Sequence, residues 1–119
     1  MNDFDPVPYS EGIRELNRRE QERMALRLGR ARSESERLAW AIAEADPTVR
    51  RVILFGSVAS GAPSREDFDI DLAIDGGDSS LAMSITDESE FDVDLVNLEL
   101  LPVAMRRMLE NRGVELVRR

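Results

Sequence analysis

Two short segments of this chain alternate apolar and acidic residues, and that alternation limits the folds open to it. Phe68-Asp69-Ile70-Asp71-Leu72-Ala73-Ile74 and Phe91-Asp92-Val93-Asp94-Leu95-Val96 both carry a period of two, the signature of a half-buried strand. Side chains two apart on a strand share a face. Asp69 and Asp71 therefore project together, opposite Phe68, Ile70 and Leu72, and Asp92 and Asp94 do the same. If the two strands pair, three or four carboxylates share one patch. Like charges that close are destabilising unless neutralised. Mg²⁺ is an economical neutraliser, because it takes oxygen ligands and keeps room for substrate phosphates. An edge strand whose charges block aggregation would show the same alternation. A calcium loop over Asp67-x-Asp69-x-Asp71 is excluded, since Leu72 stands where that loop needs its turn glycine.

The remainder supplies helices and two further strands. Residues 1–9, with Pro6 and Pro8, read as a loose arm. From Ser10 to Ala45, Ile13, Leu16, Met24, Leu28, Ala31, Leu38 and Ile42 recur as a helical apolar stripe. Ser10 reads as an N-cap and Asp46-Pro47 as a stop. Gly29 and the Ser33-Glu34-Ser35-Glu36 capping pattern predict a break, giving helices over 10–30 and 33–45, with one continuous rod as the alternative. Residues 50–55 form a buried strand ending at Gly56-Ser57, followed by a short helical turn and loop from Val58 to Asp67. Residues 79–90 are polar, with a weak helical option at Leu81–Ile85. Pro102 suits the first turn of a last helix, Gly113 is a natural stop, and Val114–Val117 closes as a strand. This order predicts an α+β fold, a small mixed β-sheet with helices packed on it and an N-terminal helical extension. Residues 1–35 are expected as arm and extension, and 36–119 as the domain proper. Trp40 and the methionines read as core, and Arg106 and Arg107 as partners of the helix end and solvent.

The chain has 119 residues, no Cys and no His. Disulfides, thiolate nucleophiles and imidazole bases are thereby excluded, and acid–base or metal chemistry falls to carboxylates. Every basic side chain is Arg. Residues 1–51 balance ten Arg against ten acids, residues 52–98 set one Arg against eleven acids, and residues 99–119 set five Arg against three. A segment of net −10 repels a phosphate backbone, so direct nucleic-acid binding is not expected. The longest apolar run, Leu38 to Ala43, is far short of the roughly 20 residues of a membrane span, and the acidic N-terminus is no secretory signal; a cytoplasmic protein is expected. Gly56-Ser57, closing a strand before a helix start, offers N–H groups and a hydroxyl to an anion. An anion cradle facing a metal site is what a nucleoside triphosphate requires.

Leu54-Phe55-Gly56-Ser57, then Gly61, then Asp69-Ile70-Asp71-Leu72, then Val93-Asp94-Leu95-Val96 resembles the minimal nucleotidyltransferases of the polymerase-β-like superfamily, above all the antitoxin partners of HEPN-domain toxins. The resemblance spans about residues 36–117. It implies a polymerase-β-like palm in which Gly56 and Ser57 hold the β- and γ-phosphates of ATP. It further implies that Asp69 and Asp71 bind two Mg²⁺ ions, with Asp94 ligating the catalytic one and helping deprotonate the acceptor. The implied reaction moves AMP to a tyrosine hydroxyl of a HEPN toxin and expels pyrophosphate. Departures are Ser60 where the family often has Arg, Phe68 before the first Asp, and a spacer one residue longer than is common in the antitoxin branch. Two other readings are an acidic antitoxin that neutralises a basic RNase by binding alone, and transfer to a small-molecule hydroxyl such as an aminoglycoside. The N-terminal helix is expected as a packing or homo-oligomer contact, with a toxin-docking arm as the alternative.

Overall fold

A computed structural model describes the backbone of residues 6–63 and 67–119, and side chains from residue 17 onward apart from residues 64–66. The first five residues of the expected arm, the Ile13 and Leu16 side chains of the stripe, and residues 64–66 of the loop lie outside the described residues. The element order is α1 (Pro6–Ala45), β1 (Arg51–Phe55), α2 (Gly56–Ser60), β2 (Ile70–Asp75), α3 (Ser79–Thr86), β3 (Val93–Asn97), a 3₁₀ turn (Leu98–Leu100), α4 (Val103–Arg112) and β4 (Val114–Arg118). The α+β fold with a four-stranded mixed sheet is as the alternating strands predict. The order is β3-β2-β1-β4, with β2 and β3 parallel and both other pairings antiparallel. The 3₁₀ turn was not anticipated; Asn97 caps it by accepting from the Glu99 N–H at 3.0 Å.

Helix α1 corrects two expectations. It begins at Pro6 rather than Ser10, a start that suits proline, whose missing N–H is unsatisfied at a helix start in any case. It also runs unbroken through Gly29 and Ser33. The side chains that signalled a break bond along the helix instead. Ser35 is buried and donates to the Ala31 carbonyl at 2.7 Å, while Glu34 accepts from Arg37 one turn on. Ala31, Leu38, Ala39, Ile42 and Ala43 form the buried stripe against the sheet. Trp40 is turned away from that stripe and is 58% exposed, so it is not core. Met83, Met105 and Met108 are likewise exposed, while Met24 packs on the core.

The alternation resolves the two faces of the sheet. Val52, Leu54, Ile70, Leu72 and Ile74 face α1 and α3, whereas Ile53 and Ala73 face α4 with Leu98 and Leu109. Ahead of β2 and β3, the buried rings of Phe68 and Phe91 both meet the Arg27 guanidinium, 5.4 and 4.7 Å from their centroids. Arg30 reaches Glu90 at 2.7 Å beside them. These contacts tie α1 to the entries of both acidic strands. Arg106 turns back toward the carbonyls of Glu99 and Leu101, on the N-terminal side of α4, rather than serving the helix end. No helix among the described residues is long and apolar enough to cross a membrane.

Gly113 ends α4 as expected but not in the left-handed conformation, for its φ is −77° and its ψ 168°. A Cβ there would lie 2.5 Å from both Ile53 Cγ2 and the Leu109 carbonyl oxygen, so glycine is required by the close approach to β1. Gly113→Ala should accordingly destabilise the fold by about 1–3 kcal/mol, read as a lowered urea midpoint at unchanged m-value.

Candidate active site

The parallel register pairs Ile70 with Val93, Asp71 with Asp94 and Leu72 with Leu95. Asp71 and Asp94 are therefore direct neighbours on the α4 face, at the end of the sheet where β1 gives way to α2. Asp69 and Asp92 lie two residues upstream of them, on the same face by strand parity, just before the strands begin. Asp69, Asp92 and Asp94 are exposed, while Asp71 is half-buried. In the antiparallel pairing with β1, Asp71 sits opposite Phe55, which delivers Gly56 to the same place.

Gly56 has φ +73°, and a Cβ built on it would fall 2.1 Å from Asp71 Oδ2. Only glycine satisfies both the backbone conformation and the contact. Ser57 follows at the open start of α2, where Phe55 offers no side-chain cap to the first N–H groups. The helix closes at Gly61, whose φ is +75° and whose N–H donates to the Ser57 carbonyl. Ser60 makes local bonds, donating to the Ser57 carbonyl at 3.1 Å and accepting from the Ala62 N–H at 3.3 Å. All five residues singled out from the sequence, Gly56, Ser57, Asp69, Asp71 and Asp94, thus come from elements that converge at one end of the sheet.

Two carboxylates of β2 show what the fold compensates and what it does not. Burial pulls the Asp75 carboxyl upward, but hydrogen bonds from Arg50 and Arg51 at 2.8 and 2.9 Å outweigh it and hold the group below its ordinary value. Burial also raises Asp71, and Asp94 and then Asp69 raise it further, to about 6. No basic group among the described residues contributes at Asp71. Among the described residues no group of three or more acidic side chains is gathered closely enough to hold a metal ion. The donor set is nevertheless all carboxylate oxygen around one uncompensated charge, which suits a hard divalent cation that keeps several waters.

Sequence reasoning missed two neighbours of this cluster. One is the Arg27 contact with Phe68 and Phe91, for which the equivalent placement of the two rings before Asp69 and Asp92 was the available signal. The other is a cavity of about 350 Å³ beside Gly56, lined also by Phe55, Ser60, Met108, Arg112 and Gly113, which no local motif marks. A larger open cavity of about 680 Å³ lies between α1 and α3, and none of the clustered carboxylates lines it.

Residues 40–119 match the family model described as polymerase β, nucleotidyltransferase. The chain belongs to that family. It is similar to a chain of a toxin–antitoxin crystal structure with AMP-PNP, at 25% identity and TM-score 0.58, over 71% of this chain and 73% of that one. It shares the fold of a chain in the MntA–HepT toxin–antitoxin structure, at 21% identity and TM-score 0.53, over 73% of each chain. It also shares the fold of a chain in the complex of tri-AMPylated Shewanella oneidensis HEPN toxin with MNT antitoxin, at 20% identity and TM-score 0.55, over 75% of this chain and 73% of that one. No curated protein sequence matches the chain.

The raised Asp71 carboxyl makes a stability prediction with a definite sign. Its pKa is about 6 in the folded chain against 3.8 for the free group, so the folded state holds the extra proton between those values. Stability therefore falls as pH rises from the lower value to the upper, and the loss is complete above both. Asp71→Asn should raise stability at pH 7.5 by about 1–2 kcal/mol, after discounting for the partly open site, and change it little below pH ~4. Urea denaturation at the two pH values checks this. Gly56→Ala should instead destabilise at both, by about 1–3 kcal/mol, because its Cβ has no place to go.

Proposed function

We propose that this chain transfers AMP from ATP to a protein hydroxyl, a tyrosine of a HEPN-domain toxin, and acts as its antitoxin. The observation that carries the reading is the Asp71–Asp94 pair, opposed by no basic side chain among the described residues and set against the Gly56 backbone. Membership of the nucleotidyltransferase family supports it. The likeness to a toxin–antitoxin structure with AMP-PNP supports the donor. The tri-AMPylated HEPN toxin in a complex of the same fold favours the acceptor class.

Asp69, Asp71 and Asp94 would hold two Mg²⁺ ions, which when bound offset charge on the entering and leaving oxygens of an in-line displacement. The chain's own groups do the rest. The N–H groups at Gly56 and Ser57, with the Ser57 hydroxyl, orient the β- and γ-phosphates. The missing side chain of Gly56 lets those phosphates approach the strand end without displacing Asp71. Asp94, exposed at the rim, accepts the proton of the incoming tyrosine hydroxyl. The new bond joins that oxygen to the α-phosphorus as the bond to the bridging oxygen breaks, and pyrophosphate leaves. A chain without histidine has a carboxylate, that of Asp94, to take the acceptor proton.

A binding-only antitoxin would display its acids, and the exposed Asp69, Asp92 and Asp94 suit that reading. The half-buried Asp71 does not, because burying an unpaired carboxylate gains nothing for a surface clamp. The deciding experiment is intact-mass spectrometry of a cognate HEPN-domain protein after incubation with this chain, ATP and Mg²⁺. The expected result is a gain of one or more AMP units, absent with Asp69→Asn/Asp71→Asn protein and absent with EDTA. Inhibition of the toxin at equimolar ratio with no mass gain from any of the four nucleoside triphosphates would overturn transfer in favour of the clamp.

A further inference from the structure

We propose that Arg112, at the C-terminal end of α4, binds the distal phosphates of the nucleotide; the inference rests on the nucleotidyltransferase reading. A nucleoside triphosphate brought to this site carries its charge into an acidic surface, and the carboxylates cannot hold its phosphate tail. The tail needs a cation of its own on the Gly56 side. The antiparallel pairing of β1 and β4 runs to Leu54 opposite Val114, and two residues beyond that pair lie Gly56, at the start of α2, and Arg112, at the end of α4. Arg112 lines the 350 Å³ cavity together with Gly56 and the Ser60 hydroxyl, against apolar walls from Phe55 and Met108.

Of the described arginines, four near the sheet are committed elsewhere. Arg50 and Arg51 hold Asp75, and Arg118 is paired with Glu115. Arg32 lies on the opposite face, where its Nε donates to the Val58 carbonyl at 3.1 Å and its guanidinium abuts Gly61. Arg112 forms no ion pair among the described residues and is exposed at the cavity. It is the basic side chain, among the described residues, that lines this cavity. A guanidinium binds phosphate oxygens through two parallel N–H donors, a geometry an ammonium does not reproduce. Ser60, held close by its bond to the Ser57 carbonyl, leaves that space open.

The test compares wild-type chain with Arg112→Ala and Arg112→Lys in Mg²⁺ buffer, with a HEPN-domain acceptor for kinetics and without it for binding of ATP and AMP. Arg112→Ala should raise KM for ATP by roughly tenfold or more while kcat changes by less than about threefold, with Arg112→Lys intermediate. Arg112→Ala should also reduce the preference for ATP over AMP by a similar factor, which a merely structural residue would leave unchanged. Transfer by the wild type, with unaltered KM and unaltered preference in Arg112→Ala, would overturn the role of Arg112 and leave the transferase reading standing. Neither binding nor transfer of any nucleoside triphosphate by the wild type would remove both.

Discussion

The parallel pairing of β2 with β3 is the constraint on which the rest depends. Its register sets Asp71 directly against Asp94, and the sheet cannot slip by one residue to relieve the repulsion. A one-residue slip would turn Ile70 and Leu72 out of the core that α1 covers. Hydrophobic burial on one face therefore enforces electrostatic strain on the other. Parallel strands need a crossover, and α3 provides it, packed on the α1 side so that it does not cover the acidic end of the other face.

Strand β2 holds two carboxylates of opposite meaning, four residues apart on one face. Asp75 is a structural anion, hydrogen-bonded by two guanidiniums and retained in charged form. Asp71 is held above its ordinary value by burial and by Asp94 and Asp69, and no basic group among the described residues opposes them. The chain has arginines enough to pair both. That no described basic group pairs Asp71, with Gly56 cleared of a side chain above it, marks a place suited to an added cation.

The acidic strands were legible because strand parity and burial coincide, so one pattern reports both secondary structure and the direction of each carboxylate. The same holds for Gly56, where the end of an apolar run and a glycine together announce a tight turn. Helix α1 was less legible. Ser33, Ser35 and Glu34 carry the residue types of a cap, but tertiary burial of Ser35 and the Arg37 pair turned them to bonds within the helix. Trp40 misled for a related reason, since hydrophobicity alone does not say which side of a helix faces the sheet. Arg112 left no trace in any local window, because its place beside Gly56 comes from the pairing of strands sixty residues apart in the chain.

Helix α1 connects these points. The family match begins at residue 40, inside the helix, yet Ala31, Ser35 and Leu38 are fully buried before it, and Arg27 reaches both rings that precede the acidic strands. A guanidinium between two desolvated aromatic faces is worth up to about 2 kcal/mol. More important than that energy is where it acts. Phe68 and Phe91 occupy equivalent positions one residue before Asp69 and Asp92, so a single side chain fixes the entry of both strands relative to each other. The strand pair cannot splay to separate its carboxylates without withdrawing two buried rings from Arg27. The helix that lies largely outside the family match thus holds the repulsive cluster closed, and a departure from the family pattern at Phe68 becomes part of the device that does so.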